Sequence, residues 1–243
     1  MRPEEGSLII PEVGLSANID VGVLRRLAGK SRRAVIPRII HQIWLGDQTR
    51  CPHQMMRSWQ EKHADWQYLL WTEANLPELV CQQQFDQMRE LPGKADILRY
   101  EVLFTYGGIY VDADSLCLNQ LDDFFLDNDS FCCWENEYVR TGVMSNGYLG
   151  ACKENELMKA LRETISTMDR VQYGTLSASD ITGPGLLTSI VQQIRYNKLR
   201  IYPSHYFIPK HYTGLEYQGK EKIYAMQYWA STISSSKVFG ISY

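Results

Sequence analysis

Apolar and polar positions alternate along this chain in short blocks that switch between two periods. Residues 36–45, IPRIIHQIWL, form the first sustained apolar run, and the pattern predicts a strand. Pro37 sits at its start, where a missing N–H is tolerated. Over residues 52–62, Met55, Met56 and Trp59 fall on one side, which predicts an amphipathic helix. Residues 66–71, WQYLLW, read as a second strand, with Thr72 placed to cap the next segment. Next, Leu98, Val102 and Tyr106 recur at i, i+4 and i+8 beside Ile97 and Leu103, giving one buried helical stripe. Gly107 and Gly108 stop that helix, because a left-handed C-cap needs no Cβ. Residues 109–111 then predict a strand. Strand, helix, strand, helix in this order indicates an α/β fold with a mostly parallel central sheet flanked by helices.

Further along, residues 131–134, FCCW, read as a strand in which Cys132 and Cys133 face opposite ways. Residues 142–151 suggest two strand-like pieces. Residues 155–170 suggest a helix with Leu157, Leu161 and Ile165 at i+4 steps. Gly183 and Gly185 bracket Pro184, which can open a helix at its first position. Such a start offers N–H groups to an anion or a sugar; a plain loop-to-helix turn reads the same way. Residues 1–34 read as an arm, with Asp20 capping a short helix over 21–28 closed by Gly29, ahead of a domain over 35–243. The last forty residues are rich in aromatics, which suit carbohydrate or fill a core.

Composition narrows the class. At 243 residues and 44% hydrophobic, the chain can form one sizeable core. A net charge of −3 gives no reason to expect nucleic acid. No apolar run approaches the ~20 residues of a membrane span, and the start lacks a signal-peptide core. The six cysteines show no C-x-x-C pair or zinc spacing and read as reduced thiols, mostly small core residues.

The chemistry gathers around residues 94–116. Asp96 and Arg99 stand three apart, on one side of the helix. With a strand period of two, Tyr110, Asp112 and Asp114 lean to one face. Two carboxylates about 6 Å apart repel by roughly 3 kcal/mol at an effective dielectric of about 20. A solvated strand end tolerates this. A hard cation, Mn²⁺ or Mg²⁺, gives a reason for it, because such ions take carboxylate oxygens and share the rest with substrate phosphates.

The run A-D-I-L-R-Y-E-x-L-x-x-Y-G-G-I-Y-x-D-x-D resembles the DXD sugar-binding segment of glycosyltransferase family 32, and more distantly the large clostridial glucosylating toxins. I-P-R-I-I-H-Q-I-W-L-G, L-W-T-E-A-N, E-N followed by an N, and T-G-P-G-x-L-T resemble further elements of that family. The resemblance implies a GT-A type single domain. It implies that Asp96 and Arg99 hold the donor sugar and diphosphate, and that Tyr110 lines the nucleotide pocket. Asp112 and Asp114 would hold ribose, metal or both. Trp44 would stack on the base with His41 and Gln42 nearby, and Glu135, Asn146 and Gly183 become candidate sugar contacts. Near the end the chain departs from the pattern A-x-H-H-W-x-x-S-W: Met226 and Gln227 stand in place of the histidines and Ile233 in place of the last tryptophan. Gln227, through its carbonyl oxygen, is then the candidate third metal ligand.

The resemblance therefore implies a metal-dependent retaining glycosyltransferase. It would move a hexose from a UDP- or GDP-sugar to a glycan or other hydroxyl acceptor, with front-face attack by the acceptor. Without an anchor in view, a cytoplasmic enzyme is expected, or a Golgi-type lumenal domain whose anchor has been removed. Two rivals remain. A sugar-nucleotide binder with weak or no turnover is kept open by Met226-Gln227. A haloacid-dehalogenase phosphatase also begins with a strand and D-x-D, but its G-D-x-x-x-D is missing.

Overall fold

The structure, a computed structural model, describes residues 35–169 and 177–229. The arm expected over 1–34, with Asp20 and Gly29, lies outside the described residues, as do Arg170 and Ile233. The described residues form eight strands: β1 (Ile39–Ile43), β2 (Gln67–Trp71), β3 (Gly108–Val111), β4 (Ser115–Cys117), β5 (Ser130–Asn136), β6 (Arg140–Ala151), β7 (Leu199–Tyr202) and β8 (Ala225–Gln227). Six make one sheet in the order β2-β1-β3-β6-β5-β7, and β4 pairs with β8 in a two-stranded ribbon. β1 runs parallel to β2 and β3, β6 is antiparallel to β3 and β5, and β5 is parallel to β7. Every strand of the large sheet except β6 therefore points the same way, and their carboxyl ends share one edge. In such sheets ligands bind beyond that edge.

Both faces of the sheet are covered. Ile43, Leu98, Tyr110, Leu149 and Leu161 belong to one apolar cluster; Ile40, Trp59, Val111, Phe131 and Tyr148 belong to the other. Cys132 and Cys133 fall into different clusters, as strand alternation requires. Most aromatics of the C-terminal stretch fill the second cluster: Tyr202, Phe207 and Tyr224 pack there with Phe125 and Phe131.

Six helices are described: α1 (His53–Lys62), α2 (Gln82–Gln87), α3 (Leu91–Tyr106), α4 (Glu156–Ser166), α5 (Ala178–Ile181) and α6 (Pro184–Gln193). α3 is the one that matters for the site. Every residue from Ile97 to Leu103 is buried, charged ones included, so this helix is packed on all sides rather than along one stripe. Its buried charges are partnered: Glu101 accepts from Cys81 N and pairs with Arg162. Gly107, at φ +66°, ends the helix in the left-handed region. At Gly108 (φ +109°) an added Cβ would come within 2.7 Å of the Ile39 carbonyl, so glycine is what lets β3 start beside β1.

Two expectations shift. Residues 142–151 lie in one twelve-residue strand, β6, rather than two pieces. Gly150 breaks the apolar pattern because the Phe131 ring occupies the space its side chain would take. The helix expected over 155–170 spans Glu156–Ser166, capped by Asn155, whose side chain accepts from Leu157 N and Met158 N.

Candidate active site

The site is built where β3 ends. The strand stops at Val111, and residues 112–114 form a turn closed by Ser115 N donating to the Asp112 carbonyl at 3.2 Å. Asp114 thus leaves the strand; a turn, not strand alternation, brings the two carboxylates together. Asp112 Oδ1 accepts from the Tyr110 hydroxyl at 2.9 Å and from Arg99 at 3.3 Å. Its Oδ2 accepts from Gln227 Nε2 at 3.2 Å, and the same nitrogen donates to Asp114 Oδ1 at 2.9 Å. One N–H₂ group therefore bridges the two acids. A side chain at position 147 would collide with Asp112 Oδ2, so glycine there gives this carboxylate its place.

Gln227 arrives on β8, which pairs in register with β4 immediately after the acidic turn, Ser115 opposite Gln227. The Gln227 side chain contacts both acids, while Met226, its neighbour on the strand, alternates to the other side.

Behind the tip lies a buried polar layer on α3. The Arg99 guanidinium donates to the Asn146 carbonyl at 2.6 Å, sits 4.2 Å from the Tyr110 ring centroid and pairs with Asp96 at 3.2 Å. Asn146 donates to Asp96 Oδ1 at 2.8 Å, and Thr182 donates to Oδ2 at 3.2 Å. Tyr100 donates to the Thr182 carbonyl, tying this layer to the turn before α6. Burial pushes the Asp96 carboxyl up to about 6, with Arg99 and Asn146 working against the shift. Burial likewise holds the Tyr110 hydroxyl protonated, so it donates to Asp112 rather than competing with it. Gly183 precedes Pro184 and packs close to Asp96: an added Cβ would lie 3.1 Å from its Oδ2.

The structure brings Asp96, Arg99, Tyr110, Asp112, Asp114, Asn146, Gly183 and Gln227 together. It handles the rest differently. His41 is fully buried; one ring nitrogen donates to the Gly107 carbonyl and the other accepts from Trp71. Burial lowers it to about 4, opposed by the Gly107 bond, so the ring is neutral at pH 7 and both its nitrogens are spent inside the fold. Gln42 is buried too, donating to the Asp112 carbonyl and accepting from Tyr68, so it fixes the backbone of the turn. Trp44 is half-buried just past the end of β1 and packs in the cluster that holds Ala113, the middle residue of the acidic turn. Glu135 does not join Asn146. Strand alternation puts it on the opposite face, where it pairs with Arg140 at 3.2 Å and His211 at 3.6 Å.

Sequence reasoning missed Tyr100, Tyr148, Ser115 and Thr182. Tyr100 had a local signal, four residues after Asp96 on the same helix face. Ser115 follows the D-x-D directly and bonds back to Asp112, and Thr182 opens the T-G-P-G element, whereas Tyr148 meets the site through Gln227, distant in sequence.

Comparison with known proteins agrees with this geometry. Residues 51–131 match the family model described as a glycosyltransferase sugar-binding region containing a DXD motif. Inositol phosphoceramide mannosyltransferase 3 of Schizosaccharomyces pombe is 28% identical over 170 residues, 66% of this chain and 46% of that protein. Inositol phosphoceramide mannosyltransferase 2 of the same yeast is 35% identical over 166 residues, 63% of this chain and 46% of that protein. The chain thus spans about half the length of these curated relatives. The solved PaToxG glycosyltransferase structure is 15% identical, covering 72% of this chain and 76% of that one with a TM-score of 0.56, and shows the fold to be of the GT-A kind. Residues 51–131, which carry the acidic turn, thus match the glycosyltransferase sugar-binding region containing a DXD motif, on a sheet of the GT-A kind.

Proposed function

We propose that the chain transfers a hexosyl group from a nucleoside-diphosphate sugar to a hydroxyl acceptor, using a divalent cation held by Asp112 and Asp114. The observation that carries this reading is the convergence of Asp112 Oδ2 and Asp114 Oδ1 on a single hydrogen-bond donor, at the carboxyl edge of the sheet, with Arg99 behind them. The donor set fits a hard cation such as Mn²⁺ or Mg²⁺, since both acids offer oxygens to one point. Among the described residues no group of three or more His, Cys, Asp or Glu side chains is placed to hold a metal ion. Two carboxylates plus substrate phosphates is the way Mg²⁺ is commonly held. When bound, the cation supplies Lewis-acid neutralisation of the departing diphosphate.

The chain's own residues do the rest. Arg99 and Tyr110 fix Asp112 through its Oδ1 and leave Oδ2 turned toward Asp114. Trp44 presents its ring beside the turn, where a base would stack. Asp96 and Asn146 form the polar floor under the sugar. Both Asp96 oxygens are already held, by Arg99, Asn146 and Thr182, which makes it a poor covalent nucleophile; together with the retention of configuration that the family resemblance implies, this favours front-face attack. The names of the yeast relatives make a mannosyl donor and an inositol-phosphate-bearing acceptor the first pair to try.

The test is a screen of UDP- and GDP-sugars for transfer or slow donor hydrolysis, with Mn²⁺ and Mg²⁺, on wild type, Asp112→Asn and Asp114→Asn. Cation-stimulated turnover lost in both variants supports the reading; turnover retained in both refutes it. Nucleotide binding without turnover would instead favour a binder, the reading that Gln227 in place of a histidine keeps open. Among the described residues no helix is long and apolar enough to cross a membrane.

A further inference from the structure

The amide of Gln227 has a definite sense. Ionised carboxylates accept but cannot donate, so the end touching Asp112 and Asp114 has to be Nε2–H₂. Oε1 points away and accepts from the Tyr148 hydroxyl at 2.8 Å. Tyr148 is 1% exposed, and the Ser115 hydroxyl is among the groups that act on its phenol. Ser115 Oγ in turn accepts from Trp59 Nε1 at 3.0 Å and donates to the Asp112 carbonyl at 2.8 Å.

We propose that Tyr148 is a positioning residue that allows Gln227 to turn its amide end for end, so that Oε1 becomes a ligand of the cation at Asp112 and Asp114. The inference rests on the cation site proposed above. An amide N–H₂ offers a cation no lone pair, whereas a carbonyl oxygen is a hard ligand suited to Mn²⁺ or Mg²⁺. Turning the amide leaves Nε2 facing Tyr148. A phenol can accept where it had donated, so Tyr148 accepts from the N–H and swings its own O–H to donate to Ser115 Oγ. That oxygen has a lone pair beyond the one used by Trp59, and it keeps donating to the Asp112 carbonyl. Tyr148 and Ser115 thus keep hydrogen-bond partners whichever end of the amide faces the acids. A phenylalanine at 148 would strand the buried N–H₂ in the turned sense.

The test measures Mn²⁺ binding directly, by electron paramagnetic resonance of free Mn²⁺ in the presence of a nucleoside diphosphate. Wild type, Gln227→Met and Tyr148→Phe are compared, with melting curves as the folding control. Gln227→Met keeps the volume but has no carbonyl oxygen, and is expected to bind Mn²⁺ at least tenfold more weakly. Tyr148→Phe is expected to bind severalfold more weakly at an intact fold. Equal or tighter binding by Gln227→Met overturns the inference, since the amide would then only compete with the cation. Wild type that binds no Mn²⁺ removes both the cation site and the turn; wild-type binding with an unaffected Gln227→Met removes the turn alone. Should Gln227→Met fail to fold, the ¹⁵N side-chain amide of Gln227 in wild type, titrated with Mg²⁺, decides instead. A shifted resonance upholds the turn, and an unmoved one overturns it.

Discussion

Gly147→Ala perturbs the acidic turn without touching a charge. Gly147 lies in β6 outside the left-handed region, so alanine suits its backbone. The new Cβ would overlap Asp112 Oδ2 and lie 3.1 Å from its Cγ. The overlapped atom ends a side chain that is 25% exposed, so the carboxylate can swing toward water. In doing so it gives up its bonds to Tyr110, Arg99 and Gln227. Stability should fall only at the low end of overpacking costs, about 1 kcal/mol, or roughly 2–4 °C in Tm for a chain of this size. Displacing a binding group by about 1 Å can cost ~10²-fold in rate, so kcat/KM for cation-stimulated donor hydrolysis should drop by that order. Gly150→Ala is the contrast. Its Cβ meets the buried Phe131 ring, which should cost about 1–3 kcal/mol of stability while turnover per folded molecule stays unchanged. The measurements are melting curves and steady-state hydrolysis on both variants. Wild-type kcat/KM in Gly147→Ala would refute the claim that the position of Asp112 Oδ2 matters.

Asp96, raised from 3.8 to about 6 by burial, binds an extra proton in the folded state across that window. Its contribution to stability therefore falls as pH rises from about 4 to 6, by about 3 kcal/mol. Urea unfolding of Asp96→Asn against wild type should show a flatter slope there, and equal slopes would contradict the assignment. Arg99→Lys replaces a planar fork with a point charge that cannot serve Asn146, Tyr110, Asp96 and Asp112 together. It should lower Tm and cut kcat/KM by ~10²-fold or more, and near-native kinetics would refute a demand for the fork. Trp44→Ala should raise KM for the nucleotide sugar, with base stacking worth ~1–3 kcal/mol, while cation affinity measured on its own is preserved. An unchanged KM would remove Trp44 from the base contact.

Much of this was legible because it is local. The helix, its glycine stop and the D-x-D lie within 23 consecutive residues, so Asp96 and Arg99 were expected beside Asp112, while the burial of α3 on all sides and the turn that carries Asp114 were not. The alternation of β1 and β2 with α1 between them gives the parallel pair directly. What the sequence hid is long-range. β4 and β8 are three residues each and about a hundred apart, too short for a periodic signal, yet their register delivers Gln227 to the acids. His41 entered through the resemblance of the run that carries Trp44, which implied a place near the base, but its side chain turns inward to Gly107 and Trp71. Glu135 and Asn146 are close in sequence and share a paired ribbon; which face each takes depends on the register shift between Trp134 and Asn136, and no pattern announces a bulge.

Calorimetric titration of GDP and UDP into the protein, with and without Mn²⁺, puts the central claim to the most direct test. Wild type should bind a nucleoside diphosphate far more tightly with Mn²⁺ than without, and Asp112→Asn and Asp114→Asn should each erase that difference. Cation-independent binding, or a cation effect that survives both substitutions, would contradict the account.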